Sequence, residues 1–260
     1  MAHREKKVVA VLPAYNAEKT LKATYDDIPK DWVDEILLVD DCSKDNTVAL
    51  SRELGIHTVV HQINRGYGGN QKTCYRTAMD EMGADIMVMV HPDHQYDPTI
   101  IPHLVEPLQR GECDAVFGSR MLGGRPIEGG MPKWKYFANL ALTAIENATF
   151  YVFLSEYHSG FRAYTRRYLE SVNFEANSDD FVFDTEIIAQ GVAKHMLIRE
   201  VPIQTRYFDE ASQIGFWRSV RYGVAILKTM VFYKLHKKRI WSHPIFRDRV
   251  ATTMRPLEAN

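Results

Sequence analysis

A chain of 260 residues in which 45% of side chains are hydrophobic can bury one core of enzyme size. Its 32 Lys and Arg against 33 Asp and Glu leave a formal net charge of -1, which excludes a whole-surface attraction to nucleic acid. Three scattered cysteines (Cys42, Cys74, Cys113) exclude a disulfide framework and a structural zinc site, and the apolar run Val8 to Leu12 is too short for a signal-peptide core, so a cytoplasmic setting is expected.

Short runs rich in Val, Ile, Met and Leu follow in order: Val8 to Leu12, Glu35 to Asp40, His57 to His61, Asp85 to His91 and Asp114 to Gly118. Segments of helical period separate them. This alternation predicts βαβ units around a mostly parallel sheet flanked by helices, an α/β fold whose ligand sits beyond the carboxyl ends of the strands. Polar clusters stand at those ends: PAYNAE, DDCSKDNT, NRGYGGN, HPDHQYDP and GSRMLGG. Beyond Gly130 come a long apolar segment from Trp134 to Leu154, the stretches SEYHSGFRAYT and DDFVFDTE, a strand-like Met196 to Ile203, and a basic aromatic helix from Phe216 to Arg239. Lys135, Asn139, Glu146 and Asn147 interrupt the apolar segment and Lys228 the last helix, so neither is expected to span a bilayer.

On that last helix Trp217, Val220, Val224, Leu227, Val231 and Leu235 form one apolar stripe, expected to pack on the body. Tyr222, Ile226, Met230 and Tyr233 form a second, expected to face an anionic membrane surface with Arg218, Arg221, Lys228, Lys234 and Lys237 beside it. The expected division is a catalytic domain over 1–210, an amphipathic helical arm over 211–242, and a disordered tail over 243–260.

The rim clusters carry the chemistry. Asp93, directly after a strand, is the candidate carboxylate for a divalent cation bridging a diphosphate; Asp97 before Pro98 reads as a helix cap. Of the pair Asp40 and Asp41, one side chain can face the ligand while the other braces the turn, and Asp41 is assigned the ligand role, with capping as the alternative. The glycines of NRGYGGN serve a turn more readily than a phosphate, because the stretch lacks GxGxxG and a GK[ST] ending. Arg120 and Arg162 suit phosphate better than Arg166 and Arg167, and Arg125 belongs to the same basic group. Asp179, Asp180, Asp184 and Glu186 open a helix, where capping competes with a role as base toward an acceptor hydroxyl.

Taken together, LPAYNAEKTL, LLVDDCSKDNT, NRGYGGNQK, HPDHQYDP, GSRM and SGFRAYTR resemble glycosyltransferase family 2, most closely the dolichol-phosphate mannose synthase group, over about Val8 to Ile214. The resemblance implies a GT-A fold, a UDP- or GDP-linked sugar donor, a manganese or magnesium ion, and an inverting single displacement. It implies donor-binding roles for Pro13, Tyr15, Asn16, Asp41, Asn64, Gly68 and Gln95, and a metal site at Asp93 with His91. Arg120 and Arg162 are implied for the acceptor phosphate, with Arg120, Asp93, Asp180 and Asp184 as catalytic candidates. The sequence departs from the pattern at Ala17, at His91 in place of the first acid of a D-x-D-like pair, at Gly160 before FR, and at Gln213. The expected acceptor is a polyprenyl phosphate at the cytoplasmic membrane face, with a soluble or polysaccharide hydroxyl as the alternative; a homodimer is compatible with these features. A nucleotidyltransferase would carry a basic glycine-rich loop after the first strand, where this chain has PAYN; the other rival is a non-catalytic nucleotide-sugar binder.

Overall fold

The computed structural model describes residues 5–123, 126–205 and 216–248. Its elements run β1 (Val8–Ala14), α1 (Glu18–Asp27), β2 (Glu35–Asp40), α2 (Thr47–Glu53), β3 (His57–Val60), α3 (Gly66–Asp80), β4 (Ile86–Met89), α4 (Ile101–Gln109), β5 (Ala115–Ser119), α5 (Lys133–Phe150), β6 (Arg162–Thr165), α6 (Arg166–Ser171), α7 (Phe183–Ala193), β7 (Ile198–Pro202) and α8 (Phe216–Lys237). The strands form one sheet in the order β3-β2-β1-β4-β6-β5-β7. All neighbours are parallel except β6, which lies antiparallel between β4 and β5.

Strand alternation sorts the core into two layers. Val9, Val11, Leu37, Val39, Met87 and Met89 point toward α3, α7 and α8, while Val8, Ala10, Leu12, Leu38, Ile86 and Val88 point toward α1 and α4. The mostly parallel α/β sheet expected from the alternating runs is present. The added strand is β6, which lies inside SGFRAYT: three of its residues are buried, and Ala163 pairs with Val88 on one side and Val116 on the other.

Helix α3 begins inside the glycine stretch, before Gln71. Gly66 has φ +80°, and a Cβ at Gly68 would meet the Ser178 carbonyl oxygen at 2.3 Å, so these glycines let α3 lie against the chain entering α7.

The two faces of α8 are reversed from expectation. Ile226, Met230 and Tyr233 are buried in the core with Tyr222 packed beside them, whereas Trp217, Val220, Val224, Leu227 and Val231 are exposed. Both stripes are apolar, so periodicity leaves the inward face undetermined; contact with α5 and α7 decides it. The segment expected to be a disordered tail begins with an ordered turn, Pro244–Phe246, which buries Ile245 and Phe246 against the core. Residues 249–260 lie outside the described residues.

Candidate active site

The carboxyl ends of β1, β2 and β4 open onto one cleft of about 1640 Å³, lined among others by Pro13, Tyr15, Asn16, Asp41, Asn64, His91, Asp93, Gln95, Asp180 and Asp184. The sheet rule therefore brings most of the expected site residues together.

The first wall is built from loops that brace one another. Asn16 sits at φ 52°, donates its backbone N–H to Ser43 Oγ at 2.8 Å, and accepts the Lys44 N–H on Oδ1 at 2.9 Å. Asp41 accepts the backbone N–H groups of Arg65 (2.8 Å) and Gly66 (2.9 Å) and lies 2.8 Å from His61 Nδ1. Both carboxylate oxygens thus hold the start of α3, not the turn that follows the pair, and the side chain reaches the cleft already engaged. Asn64 donates to the Asp41 carbonyl at 3.1 Å and accepts from Gly66 N–H at 3.1 Å. Gly68 is buried outside the cleft lining and donates its N–H to the Asp179 carbonyl at 2.8 Å, so its assignment to donor binding is corrected to close packing. Neighbouring Asp40 is buried, accepts the Ser43 N–H on Oδ2 at 2.9 Å, and has no hydrogen bond on Oδ1 among the described residues.

The loop after β4 is pinned to α1. Thr20 Oγ1 donates to the Pro92 carbonyl at 2.5 Å, and His94, at φ 55°, places Nε2 2.9 Å from Asp27 Oδ2. Asp93 accepts the Gln95 N–H at 3.0 Å on Oδ1, an arrangement that leaves Oδ2 for a ligand. Asp97 caps the following turn by accepting from Thr99 N–H and Oγ1. His91 stacks on Tyr67 with ring centroids 5.6 Å apart and places Nε2 3.5 Å from the Tyr67 hydroxyl. Among the described residues no group of three or more His, Cys, Asp and Glu is arranged to hold a metal. A cation bridging a diphosphate needs only one or two protein ligands, so Asp93 fits; His91 Nε2 would have to leave Tyr67 to join it.

The acidic segment is mostly committed to structure. Asp184 accepts the Tyr67 hydroxyl at 2.8 Å and Gln71 Nε2 at 3.2 Å, and Arg162 Nη1 stands 3.3 Å away. A carboxylate engaged by three donors positions Tyr67, a structural role in place of the expected catalytic one. Burial, followed by the Asp184 charge, pushes the Tyr67 hydroxyl well above its ordinary range, keeping it a donor. Asp180, exposed at the cleft, accepts the Phe181 N–H at 2.8 Å. Glu186 accepts the Ser178 N–H at 2.6 Å, and burial pushes its carboxyl up to about 7.

Neither expected phosphate arginine is free. Arg162 is buried, donates Nε to the Ser159 carbonyl (2.7 Å) and Nη2 to the Tyr157 carbonyl (2.7 Å), and turns Nη1 to Asp184, so no ligand reaches it. Its assignment to the acceptor phosphate is corrected to organising the 157–159 loop and Asp184. Arg120 pairs through Nε (2.8 Å) and Nη2 with the fully buried Glu156, which also accepts from Asn139 Nδ2 at 2.8 Å. Arg120 also donates to the His158 carbonyl at 3.3 Å and does not line the cleft. Arg125 and Gln213 lie outside the described residues.

Three residues of the second wall were missed by sequence reasoning, Tyr67, Glu146 and His158, and Tyr222 was expected at a membrane surface, not at the cleft. His158 and Tyr222 line the cleft, and behind them Glu146 has a fully buried side chain 3.2 Å from His158 Nε2. The available signal was Glu146 itself, an acid within an apolar helix, which needs a partner.

Residues 9–172, more than half of the chain, match the family described as Glycosyl transferase family 2. A UDP-N-acetylglucosamine--dolichyl-phosphate N-acetylglucosaminyltransferase of Methanococcus voltae is 27% identical over 90% of this chain and 98% of its own. The dolichol-phosphate mannosyltransferase of Pyrococcus furiosus is 28% identical over 75% of this chain and 55% of its own. Among solved structures, glucosyl-3-phosphoglycerate synthase of Mycobacterium tuberculosis, in complex with Mn2+, UDP-glucose and phosphoglyceric acid, superposes with a TM-score of 0.67 at 20% identity, covering 88% of this chain and 80% of that one. That likeness establishes the GT-A-type fold. With a strand-end cleft, a rim carboxylate and a family match spanning β1 to α6, the chain belongs to glycosyl transferase family 2 and is a nucleotide-sugar glycosyltransferase.

Proposed function

We propose that the protein transfers a sugar from a nucleotide-diphospho-sugar to a polyprenyl phosphate at the cytoplasmic face of a membrane, with inversion at the anomeric carbon. The observation that carries this is helix α5, which is inside out. Its buried side bears Asn139, Thr143, Glu146 and Thr149, with Phe150 and Leu142 the apolar residues turned to the core, while Trp134, Phe137, Leu140 and Ile145 are exposed. Exposed Tyr151 and Phe153 follow it. The exposed stripe of α8, the helix that packs on α5, adds Trp217, Val220, Val224, Leu227 and Val231, and the α8 helix contains no Asp or Glu. A broad apolar surface edged by Arg218, Arg221 and Lys228 suits an anionic bilayer interface, where each basic residue adds about 1 kcal/mol. Among the described residues no helix is long and apolar enough to cross a membrane. Arg218 and Tyr222 of α8 also line the cleft, so an acceptor held at this surface has its headgroup beside the donor. The relatives named for dolichyl phosphate support the same acceptor class.

In this mechanism Tyr15, Asn16 and Asn64 flank the nucleoside, and Asp93, with Gln95 beside it, would hold a manganese or magnesium ion at the diphosphate end. When bound, that ion supplies charge neutralisation for the leaving diphosphate. Tyr67, fixed by Asp184, lies near the reacting end and excludes water with Phe181, whose ring centroid is 4.7 Å from its own. No strong base is needed, because a phosphate monoester is already anionic at neutral pH.

The test is co-sedimentation with anionic vesicles followed by transfer to a vesicle-borne polyprenyl phosphate. Binding is expected to be salt-sensitive and to fall in a Phe137→Ser, Leu227→Ser variant that melts like the parent. A parent that stays in the supernatant at low salt overturns the membrane reading in favour of a soluble hydroxyl acceptor.

A further inference from the structure

Arg120 is committed to Glu156 and Arg162 to Asp184, which leaves the phosphate of a lipid acceptor without the guanidinium that the sequence assigned to it. Among the described residues that line the cleft there is one arginine, Arg218, in the first turn of α8. It is exposed, and no carboxylate among the described residues pairs with it. Its guanidinium carbon lies over the Phe181 ring instead, 5.4 Å from the centroid. The lysine that lines the cleft, Lys19, belongs to α1, the helix that holds the loop after β4 through Thr20.

The ring beneath Arg218 is itself supported. Phe181 meets Tyr67 with centroids 4.7 Å apart, and the Tyr67 hydroxyl donates to Asp184 at 2.8 Å. Asp184 is held in turn by Gln71 and Arg162. The chain from the buried Arg162 to the exposed Arg218 therefore runs through a carboxylate and two rings. An aromatic face attracts the cation without the ion pair that occupies Arg120 and Arg162, so the N–H fork of Arg218 remains for an oxyanion.

Position distinguishes the two phosphate groups of the reaction. The loops of the donor wall come from the carboxyl ends of β1, β2 and β4, whereas Arg218 stands on α8, whose outer stripe of Trp217, Val220 and Val224 is exposed. Tyr222, one turn further along α8, lines the cleft as well, so this side of the helix borders the cleft where the apolar surface begins. We propose that Arg218, supported by Phe181, binds the phosphate of the acceptor as it enters the cleft from that surface. The proposal rests on the polyprenyl phosphate reading, and it moves the acceptor-phosphate contact from the GSRM and SGFRAYTR segments to α8. A neutral prenol gains little from a guanidinium, whereas a phosphate gains charge-assisted hydrogen bonds to two oxygens. Arg218 is thus the residue in contact with the acceptor, and Phe181 positions it.

The experiment titrates the full chain calorimetrically with geranyl phosphate, geraniol and UDP, without vesicles, so that membrane affinity does not enter. The parent is expected to bind geranyl phosphate at least about tenfold more tightly than geraniol, and Arg218→Ala to lose about tenfold for geranyl phosphate with geraniol and UDP unchanged. Arg218→Lys keeps the charge without the fork and should recover part of the loss. Arg221→Ala removes the next arginine of α8, which does not line the cleft, and should bind all three probes like the parent. Phe181→Leu is expected to lose about threefold for geranyl phosphate and Phe181→Tyr nothing, which separates support of the guanidinium from loss of bulk. If the parent does not prefer geranyl phosphate to geraniol, the acceptor reading itself falls and takes this one with it. If the parent has that preference, the role of Arg218 alone is overturned when Arg218→Ala keeps it, when UDP binding falls equally, or when Arg221→Ala loses as much. Phe181→Leu binding geranyl phosphate like the parent overturns the role of the ring.

Discussion

The two walls of the cleft are built by opposite means. On the donor side, loops at the strand ends are tied by side chains accepting backbone N–H groups: Asp41 to Arg65 and Gly66, Asn16 to Lys44, Asp93 to Gln95. On the acceptor side, helices α5 and α8 turn polar or core-filling residues inward and leave apolar side chains on the outer surface. The difference teaches that the donor wall is self-sufficient, preorganised for a water-soluble ligand of fixed shape. The acceptor wall is instead built so that, on the proposed reading, an apolar phase outside the protein completes it.

The sharpest break in that contrast is expected at Asp93. Asp93→Asn retains the turn-forming acceptor but weakens the cation site, and turnover should fall about a thousandfold with little change in melting temperature. Turnover near the parent level in steady-state assays with metal would remove Asp93 from the donor wall's chemistry. Next in size is the inner face of α8. Ile226→Ala should cost about 3 kcal/mol in denaturant unfolding, and Leu227→Ala on the outer face under about 0.5 kcal/mol. Equal costs would mean that the two faces are not distinct.

A pH test addresses the acidic segment joining the walls. The Glu186 carboxyl is pushed by burial from an ordinary 4.5 to about 7, so between those values the folded chain holds a proton the unfolded chain releases. That contribution to stability is fully present below pH 4.5 and lost as pH rises through 7. Glu186→Gln should therefore be more stable than the parent at pH 8, by up to about 3 kcal/mol, and equal to it at pH 4. Parallel pH–stability curves would show that Glu186 is not strained by its burial. The smallest expected effect is at Asn16, whose left-handed φ and bond to Lys44 N–H brace the rim. Asn16→Ala should cost about 1–2 kcal/mol and Asn16→Gly less, as thermal unfolding would show.

The donor wall was legible in the sequence because its signals are local. Strand runs of Val, Ile and Met set the sheet, and polar clusters at their ends fell on one rim, as the parallel topology requires. The acceptor wall was not legible, because its logic is long-range. Which apolar stripe of α8 faces inward depends on α5 and α7, and the pairing of Glu146 with His158 depends on how the end of α5 meets the loop before β6. Arg120 and Arg162 were recognised as important, but their partners Glu156 and Asp184 lie 36 and 22 residues away in the chain, beyond any periodic pattern. The α3 glycines were placed in the right region with the wrong contact, since close packing against residues 178–179 leaves no local trace.

Positions 91 and 160 show what an altered pair demands. A Cβ at Gly160 would sit 2.6 Å from His91 Nε2 and 3.4 Å from the Tyr67 hydroxyl. Any side chain at 160 thus competes with the imidazole for the same volume, and the two departures from the family pattern are one exchange of space between neighbouring strand ends. Restoring acids at both sites is order-dependent: Gly160→Asp made first meets the imidazole, whereas His91→Asp made first vacates the room that the second carboxylate would fill. The route between the two versions of this site therefore requires the imidazole to move in one order of assembly and not in the other.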